Sequence, residues 1–138
     1  NQIIKRSKKY NFTKIAAIES RGFVFGSAVS YLLKKPFIML RKKNKLPAEV
    51  HSVDFELEYG TATIEVHKDS INEKDEVLII DDLIATGGTA EAAAKLVEIS
   101  KGKVAAFIFV INLFDLGGCD NLIKKNYKVE NLIEFPGH

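Results

Sequence analysis

Polar and apolar positions along this chain fall into blocks whose period changes from one block to the next. Residues 14–18 form a short apolar run that ends in Glu19-Ser20-Arg21-Gly22, and residues 23–33 then carry apolar side chains at helical spacing. The next strand is predicted over 36–41. From 42 to 60 the chain turns polar, and 53–57 and 61–66 read as extended segments flanking Gly60, the pattern of a hairpin or a mobile flap. Residues 77–80 are wholly apolar and β-branched or leucine, which suits a parallel strand buried on both faces. A loop over 81–88 then feeds an Ala-rich helix over 89–100. Further strands are expected at 104–113 and 129–135, with a short helix over 122–125 between them. Strands alternating with helices predict an α/β fold, a central and mostly parallel sheet flanked by helices, in which ligands bind beyond the carboxyl ends of the strands.

Composition narrows this picture. With 138 residues, 46% hydrophobic and 28% charged, the expectation is one domain spanning 1–138. Twenty basic side chains against eighteen acidic ones leave a net charge of +2, too weak a field for a nucleic-acid partner. Cys119 is the one cysteine, so no internal disulfide forms, and no apolar run is long enough for a membrane span or signal peptide. A cytoplasmic protein is expected.

The chemistry concentrates in Val77-Leu-Ile-Ile-Asp-Asp-Leu-Ile-Ala-Thr-Gly-Gly-Thr89, where two acids end a strand and a Gly-Gly turn precedes a helix. Gly87 and Gly88 permit positive φ and bring backbone N–H groups close to a ligand, and the helix start adds its positive dipole end. A phosphate monoester fits there. Thr86 and Thr89 offer hydroxyl donors, with Thr89 also read as the helix N-cap. Asp81 and Asp82 would point to opposite sides of a regular strand, so both reach one ligand only where the strand gives way to the loop. Carboxylates accept hydrogen bonds from the vicinal hydroxyls of a ribose and offset positive charge at its anomeric carbon. Thr89 follows the glycines where a Walker loop has lysine, and Gly-x-Gly-x-x-Gly is missing, so the triphosphatase and dinucleotide readings fail. The bland alternative is a strand edge with solvated acids and an ordinary helix entry.

Asp81-Asp82 followed by Ala85-Thr86-Gly87-Gly88-Thr89 resembles the phosphoribosyl pyrophosphate signature of the type I phosphoribosyltransferases. Glu19-Ser20-Arg21-Gly22-Phe23, then the 41–47 segment Arg-Lys-Lys-Asn-Lys-Leu-Pro, then Leu57-Glu58-Tyr59-Gly60 resemble the adenine-specific members in the same order. The resemblance implies transfer of a phosphoribosyl group to adenine, giving AMP and pyrophosphate in purine salvage, with Mg2+, a homodimer and a flexible β-hairpin lid over 42–60. It assigns Ala85 through Thr89 to the 5′-phosphate and Asp81 and Asp82 to the ribose. Ser20, Arg21, Arg41, Lys42 and Lys45 go to the pyrophosphate, and a cis bond is expected between Glu19 and Ser20. Leu83 becomes a wall of the purine pocket and Glu58 the catalytic acid-base group. Adenine enzymes of the family also carry an N-terminal Phe-Pro-x-Pro-Gly-Ile segment that grips the base, which the sequence starting at Asn1 does not contain.

Arg21 at a strand-to-helix turn is a second anion site by the same physics as the first, since its planar fork matches pyrophosphate oxygens. The run 5–9 is read as a solvated helix face, His51 and His67 belong to no ligand-spaced cluster, and Cys119 lacks a base partner. No protein ligand set for the metal emerges. Two other readings stay open: a transferase for hypoxanthine, guanine or xanthine, and a regulator that senses phosphoribosyl pyrophosphate without chemistry.

Overall fold

A computed structural model describes residues 2–43, 49–57 and 60–137. One seven-stranded sheet runs through it in the order β3-β4-β2-β1-β5-β6-β7. Strands β1 (Lys14–Ile18), β2 (Phe37–Lys42), β5 (Glu76–Ile84), β6 (Lys103–Leu113) and β7 (Val129–Phe135) pair in parallel. Strands β3 (Val50–Leu57) and β4 (Gly60–His67) form an antiparallel hairpin, joined to the edge of β2 through Arg41 and Lys42 opposite Glu65 and Ile64. The sheet is therefore mostly parallel with an antiparallel extension, as the pattern of the chain predicts.

The parallel centre is the apolar part because both of its faces are covered. Val77, Leu78, Ile79 and Ile80 of β5 and Ala106, Phe107 and Ile108 of β6 expose no surface. Helix α3 (Gly88–Ile99) covers one face, and its alanines 90, 92, 93 and 94 let it lie close to Ile79, Phe107 and Phe109. On the other face α1 (Gln2–Ser7) and α2 (Arg21–Leu33) cover Ile15, Leu78, Ile80 and Ile108. Helix α2 stops at Lys34, which takes φ 55° and whose N–H reaches back to Tyr31 C=O, and Pro36 then prevents resumption. Helix α4 (Gly118–Lys124) follows a 3-10 turn at Phe114–Leu116.

Several expectations shift here. The loop expected from residue 81 is strand until Ile84, because β6 continues the ladder from Asp81 opposite Phe109 to Ile84 opposite Asn112. Helix α4 starts at Gly118 rather than at 122. The basic run 5–9 is only partly solvated: Lys9 and Arg6 lie 3.3 and 3.8 Å from Glu130 of β7, which also accepts the Tyr10 hydroxyl. Those contacts dock α1 onto the far edge of the sheet.

Candidate active site

The carboxyl ends of β1 and β5 open into one cleft of about 250 Å³, lined by residues 18–21, 81–90 and Phe109. Two strand-to-helix turns build it, β1 into α2 and β5 into α3, so the amino ends of both helices face the same space.

In the second turn Gly87 takes φ 94°, a left-handed conformation that a β-carbon disfavours, and thereby reverses the chain into α3. The first helical bond runs from Glu91 N–H to Gly87 C=O at 2.9 Å, so the amides of residues 88–90 precede the ladder and carry the helix's positive end. Thr89 is not the N-cap. Gly87 holds that position with no side-chain cap bond, and Thr89 lies inside the first turn of α3. Ala85, Thr86, Gly87, Gly88 and Thr89 all line the cleft, as does Leu83.

Asp81 and Asp82 both line it too, although they are strand residues. Asp82 N–H donates to Asp81 Oδ1 at 2.9 Å. Burial pushes the Asp81 carboxyl up to about 8, and the adjacent Asp82 carboxylate adds to the rise against the opposing pull of that N–H and of Arg21. Two crowded carboxyls, both partly buried, form a seat for hydroxyl donors or for a cation's water.

The first turn supplies the opposite charge. Its Glu19–Ser20 bond is cis, as expected. Arg21 Nε lies 3.0 Å from Asp82 Oδ2 while its side chain remains 79% exposed, so the guanidinium is only loosely held. Gly22 fits because it has no side chain: a Cβ there would come within 2.8 Å of Asp81 Oδ1 and 3.1 Å of Ile80 C=O. Glu19, to which the sequence alone assigns no role, accepts from Arg41 Nε at 3.2 Å and from Lys42 N–H at 2.9 Å. Burial opposes its ionisation, but those two donors outweigh burial and hold the carboxyl below its usual range. Arg41 and Lys42 thus join the turn through Glu19 and are not among the cleft's lining residues. Lys45 and Glu58 lie outside the described residues.

The remaining candidates stay apart from the cleft. Cys119 is buried, and burial raises its thiol to about 11, which leaves it protonated and inert. Among the described residues no group of three or more His, Cys, Asp and Glu side chains is arranged to hold a metal ion. The donor set suits a cation carried mainly by substrate oxygens and water, with Asp81 and Asp82 the residues that would hold it. Phe109 of β6 is 1% exposed and also lines the cleft.

Comparison with known proteins gives one answer at three levels. The family model described as phosphoribosyl transferase domain matches residues 1–135. An adenine phosphoribosyltransferase of Pelagibacter ubique is 83% identical over 138 residues, covering 100% of this chain and 79% of that one. The crystal structure of adenine phosphoribosyltransferase from Thermoanaerobacter pseudethanolicus superposes with a TM-score of 0.93 at 46% identity, over 97% of this chain and 77% of that one. A Giardia lamblia APRTase complexed with 9-deazaadenine superposes with a TM-score of 0.89 at 34% identity, over 97% and 76%.

Proposed function

We infer the function from one premise: this chain belongs to the phosphoribosyl transferase family and, within it, to the adenine phosphoribosyltransferases. It transfers the 5-phosphoribosyl group of phosphoribosyl pyrophosphate to adenine, forming AMP and releasing pyrophosphate. The observation that carries this reading is the succession, in one cleft, of a paired carboxylate at the end of β5, the amide-rich turn into α3, and Arg21 opposite.

The residues divide the substrate between them. The amides and hydroxyls of Ala85, Thr86, Gly87, Gly88 and Thr89 receive the 5′-phosphate, where the dipole of α3 favours negative charge. Asp81 and Asp82 accept the ribose hydroxyls. As the bond from C1′ to the pyrophosphate oxygen breaks and the bond from adenine N9 to C1′ forms, positive charge grows on the ribose, and the Asp82 carboxylate and the Asp81 carboxyl stand beside it. Ser20, Arg21, Arg41, Lys42 and Lys45 neutralise the departing pyrophosphate, with Arg21 released from Asp82 by the ligand's stronger charge. Leu83 packs on the purine, and Glu58 takes the proton that the imidazole ring gives up. Mg2+, bound with the substrate, supplies further charge neutralisation at the pyrophosphate.

The lid in this reading is the segment 42–60, which includes β3 of the hairpin. Val53 and Phe55 of β3 pack against the core, and Glu58, the acid-base residue, follows β3 in the sequence. Closure excludes water that would otherwise hydrolyse the donor. The protein acts as a homodimer in the cytoplasm, and the outer face of α2 offers the dimer an apolar surface, with Val24, Tyr31 and Leu32 between 58% and 83% exposed. Among the described residues no helix is long and apolar enough to cross a membrane.

The test is direct: labelled adenine with phosphoribosyl pyrophosphate and Mg2+ yields AMP and an equal amount of pyrophosphate, and a chelator stops both. Binding of phosphoribosyl pyrophosphate with no product from any base would favour a sensing protein instead.

A further inference from the structure

The Gly117-Gly118 step that opens α4 lies outside the cleft lining, yet it is packed against the loop that forms one cleft wall. Gly118 N–H donates to Ala85 C=O at 3.0 Å. A Cβ on Gly118 would overlap that carbonyl oxygen and stand 2.8 Å from Ile84 Cγ1 and 2.9 Å from Gly87 N. The approach is mutual, because a Cβ on Gly87 would meet Gly118 Cα at 3.1 Å. Most of these neighbours are backbone, so a side chain at 118 is accommodated only if the loop moves.

The direction of that movement follows from peptide geometry. The Ala85 carbonyl and the Thr86 N–H share one rigid trans plane and point in opposite directions. By holding the carbonyl, Gly118 turns the Thr86 N–H away from α4. By approaching Gly87 without a side chain, it also leaves room for the left-handed residue that caps α3. We infer that Gly118 is a positioning residue for the 5′-phosphate: it sets the aim of the amides from Thr86 onward without touching the ligand. This inference rests on the assignment of residues 85–89 to the 5′-phosphate.

Ribose 5-phosphate and pyrophosphate separate the two cleft walls, since the first is held by residues 81–89 and the second by the Arg21 turn. Calorimetric titration of the full chain with each ligand, pyrophosphate in the presence of Mg2+, provides the readout. Loss of one charge-assisted hydrogen bond to a phosphate costs on the order of 10- to 100-fold in affinity. G118A is therefore expected to weaken ribose 5-phosphate by at least about tenfold and pyrophosphate by less than about twofold. G117A is the control: Gly117 has φ 81° and a Cβ there would meet nothing within 4 Å, so the substitution strains the same turn without pushing on the loop. It should leave both affinities near the parent's. In the unaltered protein, saturating ribose 5-phosphate should also slow hydrogen exchange at the Gly118 amide, and pyrophosphate should not, a readout that holds even if G118A fails to fold. A G118A protein that binds ribose 5-phosphate like the parent, equal weakening of both ligands, or Gly118 exchange indifferent to ribose 5-phosphate overturns the inference. Failure of the parent to bind ribose 5-phosphate would instead overturn the functional reading beneath it.

Discussion

Asp81 is placed at a cost to the fold, and replacing it with Asn should expose that cost. Its carboxyl titrates at about 8 in the folded chain against an ordinary 3.8, chiefly because of burial and then because of Asp82. Between those two values the folded protein keeps a proton that the unfolded chain releases, so stability declines as pH rises through the window, and the full penalty applies above about pH 8. Four units of displacement correspond to about 6 kcal/mol as a ceiling. Water in the open cleft, relaxation of the two side chains and the charge of Arg21 reduce this to about 1–3 kcal/mol. Asp81→Asn preserves the oxygen that accepts the Asp82 N–H and removes the charge. In the absence of ligand it should melt about 3–10 °C above the parent at about pH 8.5, with the gain shrinking as pH falls toward 4. Its AMP formation at about pH 8.5, where Asp81 of the parent is ionised, should drop on the order of 100-fold or more, because charge developing on the ribose loses its partner. Thermal melts across pH, paired with initial rates, check both halves. A variant less stable than the parent at about pH 8.5, or a gain of equal size at pH 5, would refute the reasoning.

Two other substitutions probe the opposite wall and the lid. Arg21→Ala should change stability by less than about 1 kcal/mol, since its pair with Asp82 is largely exposed, while pyrophosphate affinity and turnover fall sharply; a large drop in melting temperature would make Arg21 a structural residue. Glu58→Gln should slow single-turnover AMP formation by on the order of 10² to 10⁴ with a smaller effect on substrate binding; parental single-turnover rates in both Glu58→Gln and Glu58→Ala would remove Glu58 from the chemistry.

The sequence is most legible where burial is one-sided or complete. Strand β1 falls where the apolar run at 14–18 places it, β7 spans the expected 129–135 although none of its residues is buried, and the two strand-to-helix turns are visible as motifs. Strand β5 reads four residues short at its carboxyl end because the apolar run stops at Ile80, whereas the ladder with β6 holds the backbone extended through Asp81 and Asp82 whatever their side chains prefer. Thr89 is a reasonable cap by residue type, but Gly87 reaches the left-handed cap geometry and moves the helix start ahead of it. Glu19 gives no signal because its partners, Arg41 and Lys42, lie on the neighbouring strand and only the parallel pairing of β1 with β2 brings them within reach. Gly118 is likewise hidden: a Gly-Gly pair reads as a turn, and nothing local announces that Ala85 lies against it.

The central claim is that this cleft makes AMP from adenine, and competition among bases tests it most directly. The full chain is given phosphoribosyl pyrophosphate, Mg2+ and an equimolar mixture of adenine, guanine, hypoxanthine and xanthine, and the nucleotides formed are separated and counted against pyrophosphate released. The ratio of products reports relative kcat/KM in one vessel. The account predicts AMP as the dominant nucleotide, in step with pyrophosphate; a mixture dominated by GMP, IMP or XMP, or pyrophosphate release without any nucleotide, would contradict it.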